Sequence, residues 1–312
     1  MSSCVDWMSR LPEKLLDMPL STLAIPGSHD TMTYCLDQHS PVLPSQPKTL
    51  RFLDSIIPCI IRPCVNRWGT TQERTISSQL DSGIRFLDLR VAHKKKDSNK
   101  TFYFAHGIYS LWTVKEALID VAWWLEKHPK EVVIIALSSF DGLDSSQHQE
   151  LINHLKNLFL NKLCPNWEKP TLKTCWDHGY QVILSYDNSC AVGHKELWPK
   201  WDYWWANKSD PTQVISYLEE RKAKGRPDSF FVAGLNMTED ARYILLHPCR
   251  SMRIMTKKAY PILLNWVKDQ CPGSGKTCIN IICADFIGFS SNVFAQSVIE
   301  LNQRLLKEDM GT

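Results

Sequence analysis

Apolar residues along the chain fall into short runs of strand length, at residues 23–25, 84–91, 101–105, 132–137, 181–185, 203–205, 230–233 and 279–284. Between several of them the spacing turns helical. Thr113 and Glu116 form a capping box, after which Val114, Ala117, Leu118, Val121 and Leu125 recur on one face until Pro129 stops the run. Leu151, Ile152, Leu155, Leu158 and Phe159 repeat the pattern after Ser146. Asp210 and Pro211 open a third helix, which carries Val214, Ile215 and Leu218 and ends near Gly225; Phe294, Val298, Leu301 and Leu305 mark a last one.

This alternation, with no linker rich in Gly, Ser or Pro, predicts a single α/β domain over residues 1–312, built as a (β/α)8 TIM-like barrel in preference to an open doubly wound sheet. Residues 35–83 fit the alternation worst. They contain Pro41, Pro44, Pro47, Pro58 and Pro63 with little periodicity, and read as an irregular excursion at the barrel rim before a short helix in QERTISSQLDSG that Gly83 ends.

Charge and composition narrow the partners. A net charge of +3 with acids and bases interspersed gives no footprint for nucleic acid, and Lys94, Lys95 and Lys96, the one basic run, read as a solvated loop. The first twenty residues have no uninterrupted apolar segment, and no run elsewhere approaches a spanning length. The expectation is a soluble, unexported, cytoplasmic protein without an obligate protein partner. The 11 cysteines are odd in number and include no C-x-x-C pair, so they read as buried thiols in a reducing compartment. Cys271, Cys278 and Cys283 match no zinc-finger spacing, and PGSGKT at 272–277 lacks the first glycine of a P-loop, leaving a solvent turn. The sequons at Asn207 and Asn236 carry no weight in an unexported chain.

Ser28, His29 and Asp30 stand in a row in AIPGSHDTMTY, but three neighbours in an extended segment cannot converge as a hydrolase triad. No G-x-S-x-G elbow occurs either. In a barrel, chemistry gathers where the strands end. His29 and Asp30 end the first strand; Asp88 and Arg90, two apart, share a face of GIRFLDLRV; His106 ends FYFAHG; Asp285 lies in IICADFIG. Singly, each reads as a structural histidine or a salt bridge. Together they supply two imidazoles near carboxylates, able to act as base and acid near neutral pH, and a guanidinium fork that matches a phosphate. That set points to cleavage of a phosphodiester.

PGSHDTMTY, QLDSGIRFLDLRV and FAHG resemble the X domain of phosphatidylinositol-specific phospholipases C; HELWP, YWW, FFVAGLNMTE and IICADFIG extend the likeness through nearly the whole chain, most closely to the X domain-containing group of animal proteins. The resemblance implies a distorted TIM barrel acting on a membrane phospholipid through peripheral contact. It further implies that His29 deprotonates the inositol 2-hydroxyl, Arg90 steadies the phosphate, His106 protonates the diacylglycerol oxygen, Asp285 orients His29 and Asp30 supports His106, with Asp88 beside the substrate.

The chain also departs from the family. Calcium-dependent members carry carboxylates at both alternate positions of the strand that here offers Asp88 and Arg90, and an asparagine where Asp30 follows His29. A guanidinium in that place supplies positive charge and repels a cation, which implies a calcium-independent site with no metal and no cofactor. Ser138 and Ser139 stand where bacterial members carry a lysine that contacts the inositol ring, which leaves the headgroup open. Two other readings remain: a non-catalytic inositol-lipid binding module, and a phosphodiesterase acting on another glycerophospholipid. Of the 12 tryptophans, one or two at the rim, first of all in 35–83, are expected to touch lipid.

Overall fold

A computed structural model of the protein describes residues 4–95, 101–167, 169–247 and 250–308. Lys96 and Cys249 lie outside the described residues. The strands are β1 (Ile25–Ser28), β2 (Phe86–His93), β3 (Phe102–His106), β4 (Ile108–Thr113), β5 (Val133–Asp141), β6 (Val182–Tyr186), β7 (Leu197–Trp198), β8 (Asp202–Trp204), β9 (Phe231–Gly234) and β10 (Ile281–Ala284). The parallel sheet has the order β7-β6-β5-β2-β1-β10-β9-β8 and curls into a barrel that stays open between β7 and β8. All eight strand-length runs of the sequence become strands.

One of them has a different role from the one its sequence suggests. β3 pairs antiparallel with β2, Val91 opposite Phe104, and with β4 it forms a hairpin outside the barrel order. The connection 94–101 is shorter than the roughly dozen residues a parallel crossover needs, so the chain can only turn back. Lys94 is correspondingly not a free loop cation: its Nζ lies 3.9 Å from the Tyr103 ring centre.

The segment 35–83 is not irregular. It holds helices Lys48–Ile56, Pro58–Gly69 and Ile76–Asp81. Pro47 and Pro58 sit at the starts of the first two, where a fixed φ favours a helix and the missing N–H costs nothing. Their apolar residues Phe52, Ile56 and Ile60 are spaced helically but face outward, 65, 59 and 61% exposed, so there was no buried stripe to read. The capping box expected at Thr113 and Glu116 is present and caps Val114–Lys127; a second one, Asp144 with Gln147, caps Ser145–Phe159 and was not read from the sequence. The thiols are only partly as expected. Cys4, Cys35, Cys164, Cys175 and Cys283 are buried, whereas Cys59 and Cys271 are exposed.

Alternation along the strands divides the core in two. Leu87, Leu89, Val133, Ile135, Leu137, Val182 and Leu184 face the surrounding helices. Ile25, Phe86, Ile134, Ile183, Val232 and Ile281 point into the barrel, where Trp7, Met8, Leu15 and Leu20 from the amino-terminal turns close its lower end. Gly27 keeps the strands close there: a Cβ would lie 2.8 Å from Phe86 Cδ1. Just outside this plug the fully buried Arg85 donates from Nε and Nη2 to Glu131 Oε2 at 3.0 and 2.7 Å, and from Nη1 to the carbonyls of Leu80 and Ile84.

Breaking that pair strands a buried guanidinium. Glu131→Ala is expected to lower stability by about 3–5 kcal/mol in equilibrium denaturation, and Arg85→Met combined with Glu131→Leu to cost far less. Glu131 also accepts from the Met8 and Ser9 N–H groups at 3.3 and 3.1 Å, so a small loss in the single variant would show that the pair is not what ties the amino-terminal turns to the barrel.

Candidate active site

The inward side chains change from apolar to polar toward the carboxyl ends of the strands. Ile25 and Gly27 lead to His29; Phe86 leads to Asp88 and Arg90; Ile134 and Ala136 lead to Ser138; Val232 and Gly234 lead to Asn236; Ile281 and Cys283 lead to Asp285. Of these end residues, His29, Asp88, Arg90, Ser138 and Asn236 line a cavity of about 560 Å³ together with His106, while Asp285 and Asp30 lie buried behind its wall.

Backbone contacts fix the end of β1. The His29 N–H donates to the Ala284 carbonyl at 3.1 Å, and the His29 carbonyl accepts from Gln72 Nε2 at 2.9 Å and Thr71 Oγ1 at 3.2 Å. Asp30 and Phe286, which follow the two strand ends, both adopt left-handed backbone, φ 44° and 48°. Such turns cost roughly 1–3 kcal/mol each in non-glycine residues and persist where surrounding contacts impose them. Gln72, 1% exposed, is one such contact, and nothing in its sequence context marks it.

His29 Nδ1 lies 2.7 Å from Asp285 Oδ1, 256 residues away in the chain. His29 Nε2 is 3.1 Å from Arg90 Nη2 and 3.4 Å from Asp30 Oδ2. Arg90 can donate to Nε2 only when the ring is neutral, with Nδ1–H donating to Asp285; the protonated ring instead turns Nε2–H toward Asp30. Arg90 Nε also pairs with Asp30 Oδ1. His106 Nδ1 is 2.7 Å from the Gly69 carbonyl oxygen, to which it donates, and this turns Nε2 toward Asp30 Oδ2 at 3.4 Å. Asp30 therefore sits between both imidazoles and the guanidinium. His106 reaches this point from the β3–β4 hairpin and not from the end of a barrel strand. Ser28 Oγ bonds Thr31 Oγ1 at 2.7 Å, so no triad forms.

Asp88 anchors the strand ends: its Oδ1 accepts from Ser138 Oγ at 2.6 Å and its Oδ2 from the Asp30 N–H at 3.3 Å. His29, Asp30 and Asp88 bring donor atoms within 4.8 Å of one another, a spacing cation ligands also show. The Arg90 guanidinium held against Asp30 brings a like charge to that place.

Burial alone would lower the His29 pKa, but Asp30 and Asp285 outweigh it and push it up to about 9. Burial would raise Asp30, yet Arg90, His106 and His29 together hold it below the usual carboxylate range. His29 thus lies above the near-neutral range expected from sequence, whose spacing does not reveal that two carboxylates flank this ring. Sequence reasoning also left Tyr203, Asn236 and Glu239 without roles, although YWW and FFVAGLNMTE, which contain them, form one wall of the cavity.

Comparison with known proteins gives consistent matches. The model of the PI-PLC X 1 family matches residues 66–300. The chain is 59% identical over 298 residues to PI-PLC X domain-containing protein 1 of Danio rerio, covering 96% of each, and 47% identical over 302 residues to that of Homo sapiens, covering 96% of this chain and 93% of the relative. Among solved structures, the phosphatidylinositol-specific phospholipase C of Listeria monocytogenes superimposes with a TM-score of 0.59 at 20% identity over 96% of this chain and 99% of that one. A structure of the Staphylococcus aureus enzyme gives 0.64 at 18% identity over 95 and 97%. These two likenesses establish the barrel fold.

The His29 resonances in an NMR titration should move at alkaline pH, toward 9. Asp285→Asn removes one of the two charges that raise the group and should shift its midpoint down by about one unit or more. A midpoint near 6.5 in both proteins would refute the electrostatic picture of the site.

Proposed function

The chain belongs to the PI-PLC X family, and from that membership and its cavity we propose that it is a phosphodiesterase of the phosphatidylinositol-specific phospholipase C type. The observation that carries the reading is the gathering of two imidazoles and a guanidinium around the buried Asp30.

In this reading His29 Nε2 takes the proton of the inositol 2-hydroxyl, whose oxygen attacks phosphorus. Asp285 holds the Nδ1–H tautomer. Arg90 donates to the non-bridging oxygens as negative charge builds on them. His106 Nε2 gives a proton to the glycerol oxygen as its bond to phosphorus breaks, and diacylglycerol leaves. Asp30 aligns His106 and Arg90 and offsets the charge the site gathers. Asp88 keeps the floor in place through Ser138 and the turn at Asp30. No step calls on a metal, since the guanidinium stands where a cation would act.

The lipid has to reach the cavity from a membrane face. No helix among the described residues is long and apolar enough to cross a membrane. The outward apolar row of Phe52, Ile56 and Ile60 lies on the two helices that lead to Thr71 at the cavity, and the half-exposed Trp205 stands at its mouth. These side chains suit peripheral contact with a bilayer, with Trp205 at the interfacial depth.

His29→Ala and His106→Ala should each reduce hydrolysis of phosphatidylinositol vesicles by about 100- to 10,000-fold in a protein that still folds. Near-full turnover by either would remove the paired-imidazole mechanism. The ascending limb of the pH profile should fall on the alkaline side of neutrality, because His29 works only after losing a proton held up to about 9.

Activity should persist in excess chelator. Arg90→Lys keeps the charge but loses the planar fork, and should be impaired by about tenfold or more. Activity lost in chelator and restored by calcium would overturn the metal-independent assignment.

A further inference from the structure

One wall of the cavity is built from the segment that follows β9, and hydrogen bonds hold it in place. Leu235 N–H donates to the Cys283 carbonyl at 2.8 Å, the Tyr203 hydroxyl donates to Asn236 Oδ1 at 2.9 Å, and Trp205 Nε1 donates to Thr238 Oγ1 at 2.8 Å. Gly234 makes room for this packing, since a Cβ there would lie 2.5 Å from both Asn236 Oδ1 and Tyr203 Cε1. Glu239 ends the segment and lines the cavity. Its Oε2 is buried without a hydrogen-bond partner among the described residues. An unpaired buried carboxyl oxygen costs free energy unless a bound group supplies the missing bond.

The arginine and the lysine of the cavity lining both have carboxylate partners: Arg90 is committed to the floor beside Asp30, and Lys200 has Nζ 2.7 Å from Asp187 Oδ2. The wall at Glu239 therefore offers hydrogen-bonding atoms and no free positive charge for a second phosphate.

We propose that Glu239 is a specificity-determining residue, hydrogen-bonding a free hydroxyl of the polyol headgroup, so that the site accepts an inositol ring without further phosphates and turns away a ring phosphorylated on that side. The inference rests on the phosphodiesterase reading for the pose of the headgroup, with the scissile phosphate at Arg90. Burial raises the Glu239 carboxyl to about 7, with Asp285 and Asp30 adding to the rise and His29 opposing it. Near neutral pH the group thus exists in both forms, one donating to a hydroxyl and one accepting from it. A ring phosphate can use only the protonated form, and its own charge opposes the other. A site built to bond a hydroxyl discriminates strongly against a ligand that cannot return the bond.

The test measures binding and turnover separately on the full chain. Binding is followed by calorimetry with glycerophosphoinositol and with its ring 4-phosphate; turnover is followed on vesicles of phosphatidylinositol and of phosphatidylinositol 4-phosphate. Wild type should prefer the unphosphorylated form in both. Glu239→Ala should weaken glycerophosphoinositol binding and raise KM by about tenfold, with kcat within about twofold, and should narrow the preference between headgroups by a similar factor. Glu239→Gln, which still donates and accepts, should recover most of the affinity. Glu239→Ser serves as a second truncation should the alanine variant have a lowered thermal midpoint. Unchanged affinity and unchanged preference in the truncations would overturn the assignment while leaving the enzymatic reading intact, provided phosphatidylinositol is hydrolysed. Discrimination in binding that depends on Glu239, without turnover of any inositol lipid, would uphold the assignment and overturn the enzymatic reading. Equal or better binding of the phosphorylated headgroup by wild type would overturn the assignment outright.

Discussion

Side chains in a strand alternate between its two faces, and in a parallel sheet curled into a barrel every second residue must point into the same narrow space. That constraint builds the site. It takes β1, β2, β5, β9 and β10, fills the lower part of the barrel with Ile25, Phe86, Ile134, Val232 and Ile281, and delivers His29, Asp88, Arg90, Ser138, Asn236 and Asp285 to one rim. The register of β1 against β10 sets Ser28 opposite Ala284, so the next residues, His29 and Asp285, emerge side by side. Their 2.7 Å contact follows from strand pairing and needs no flexible adjustment. A slip of one residue in β10 would send Asp285 to the helix side and leave the imidazole without its orienting carboxylate.

Asp30 is the electrostatic counterpart of that geometric constraint. A carboxylate that is 3% exposed stays ionised only because Arg90, His106 and His29 surround it. The same carboxylate, with Asp285, raises His29. The left-handed turn at Asp30 and the Gln72 side chain that bonds the His29 and Ala284 carbonyls fix where this charge sits. The two imidazoles, the guanidinium and the groups that support them are therefore one network, and a change to any member is felt as a change of protonation as well as of position.

Much of this was legible in the sequence because periodicity is a local property. The strand-length runs, the capping box at Thr113 and the N-cap at Asp210 report their own backbone, and the two-residue step from Asp88 to Arg90 already places both on one face. What escaped was set by long-range contact. β3 reads as a barrel strand until the shortness of the 94–101 connection is weighed, which is why His106 arrives from a hairpin. The helices Lys48–Ile56 and Pro58–Gly69 were hidden by prolines that in fact start them and by apolar residues that face outward. Gln72 and Glu239 look like ordinary polar residues of a rim, and only the folded chain shows one tied to the ends of β1 and β10 and the other lining the cavity.

The central claim is that an internal hydroxyl of the headgroup, activated by His29, displaces diacylglycerol. The nature of the first water-soluble phosphate tests it most directly. Phosphorus NMR of purified protein acting on phosphatidylinositol should show an inositol cyclic phosphate as the initial product, before any monophosphate. Direct formation of inositol monophosphate, with no cyclic ester preceding it, would contradict the account.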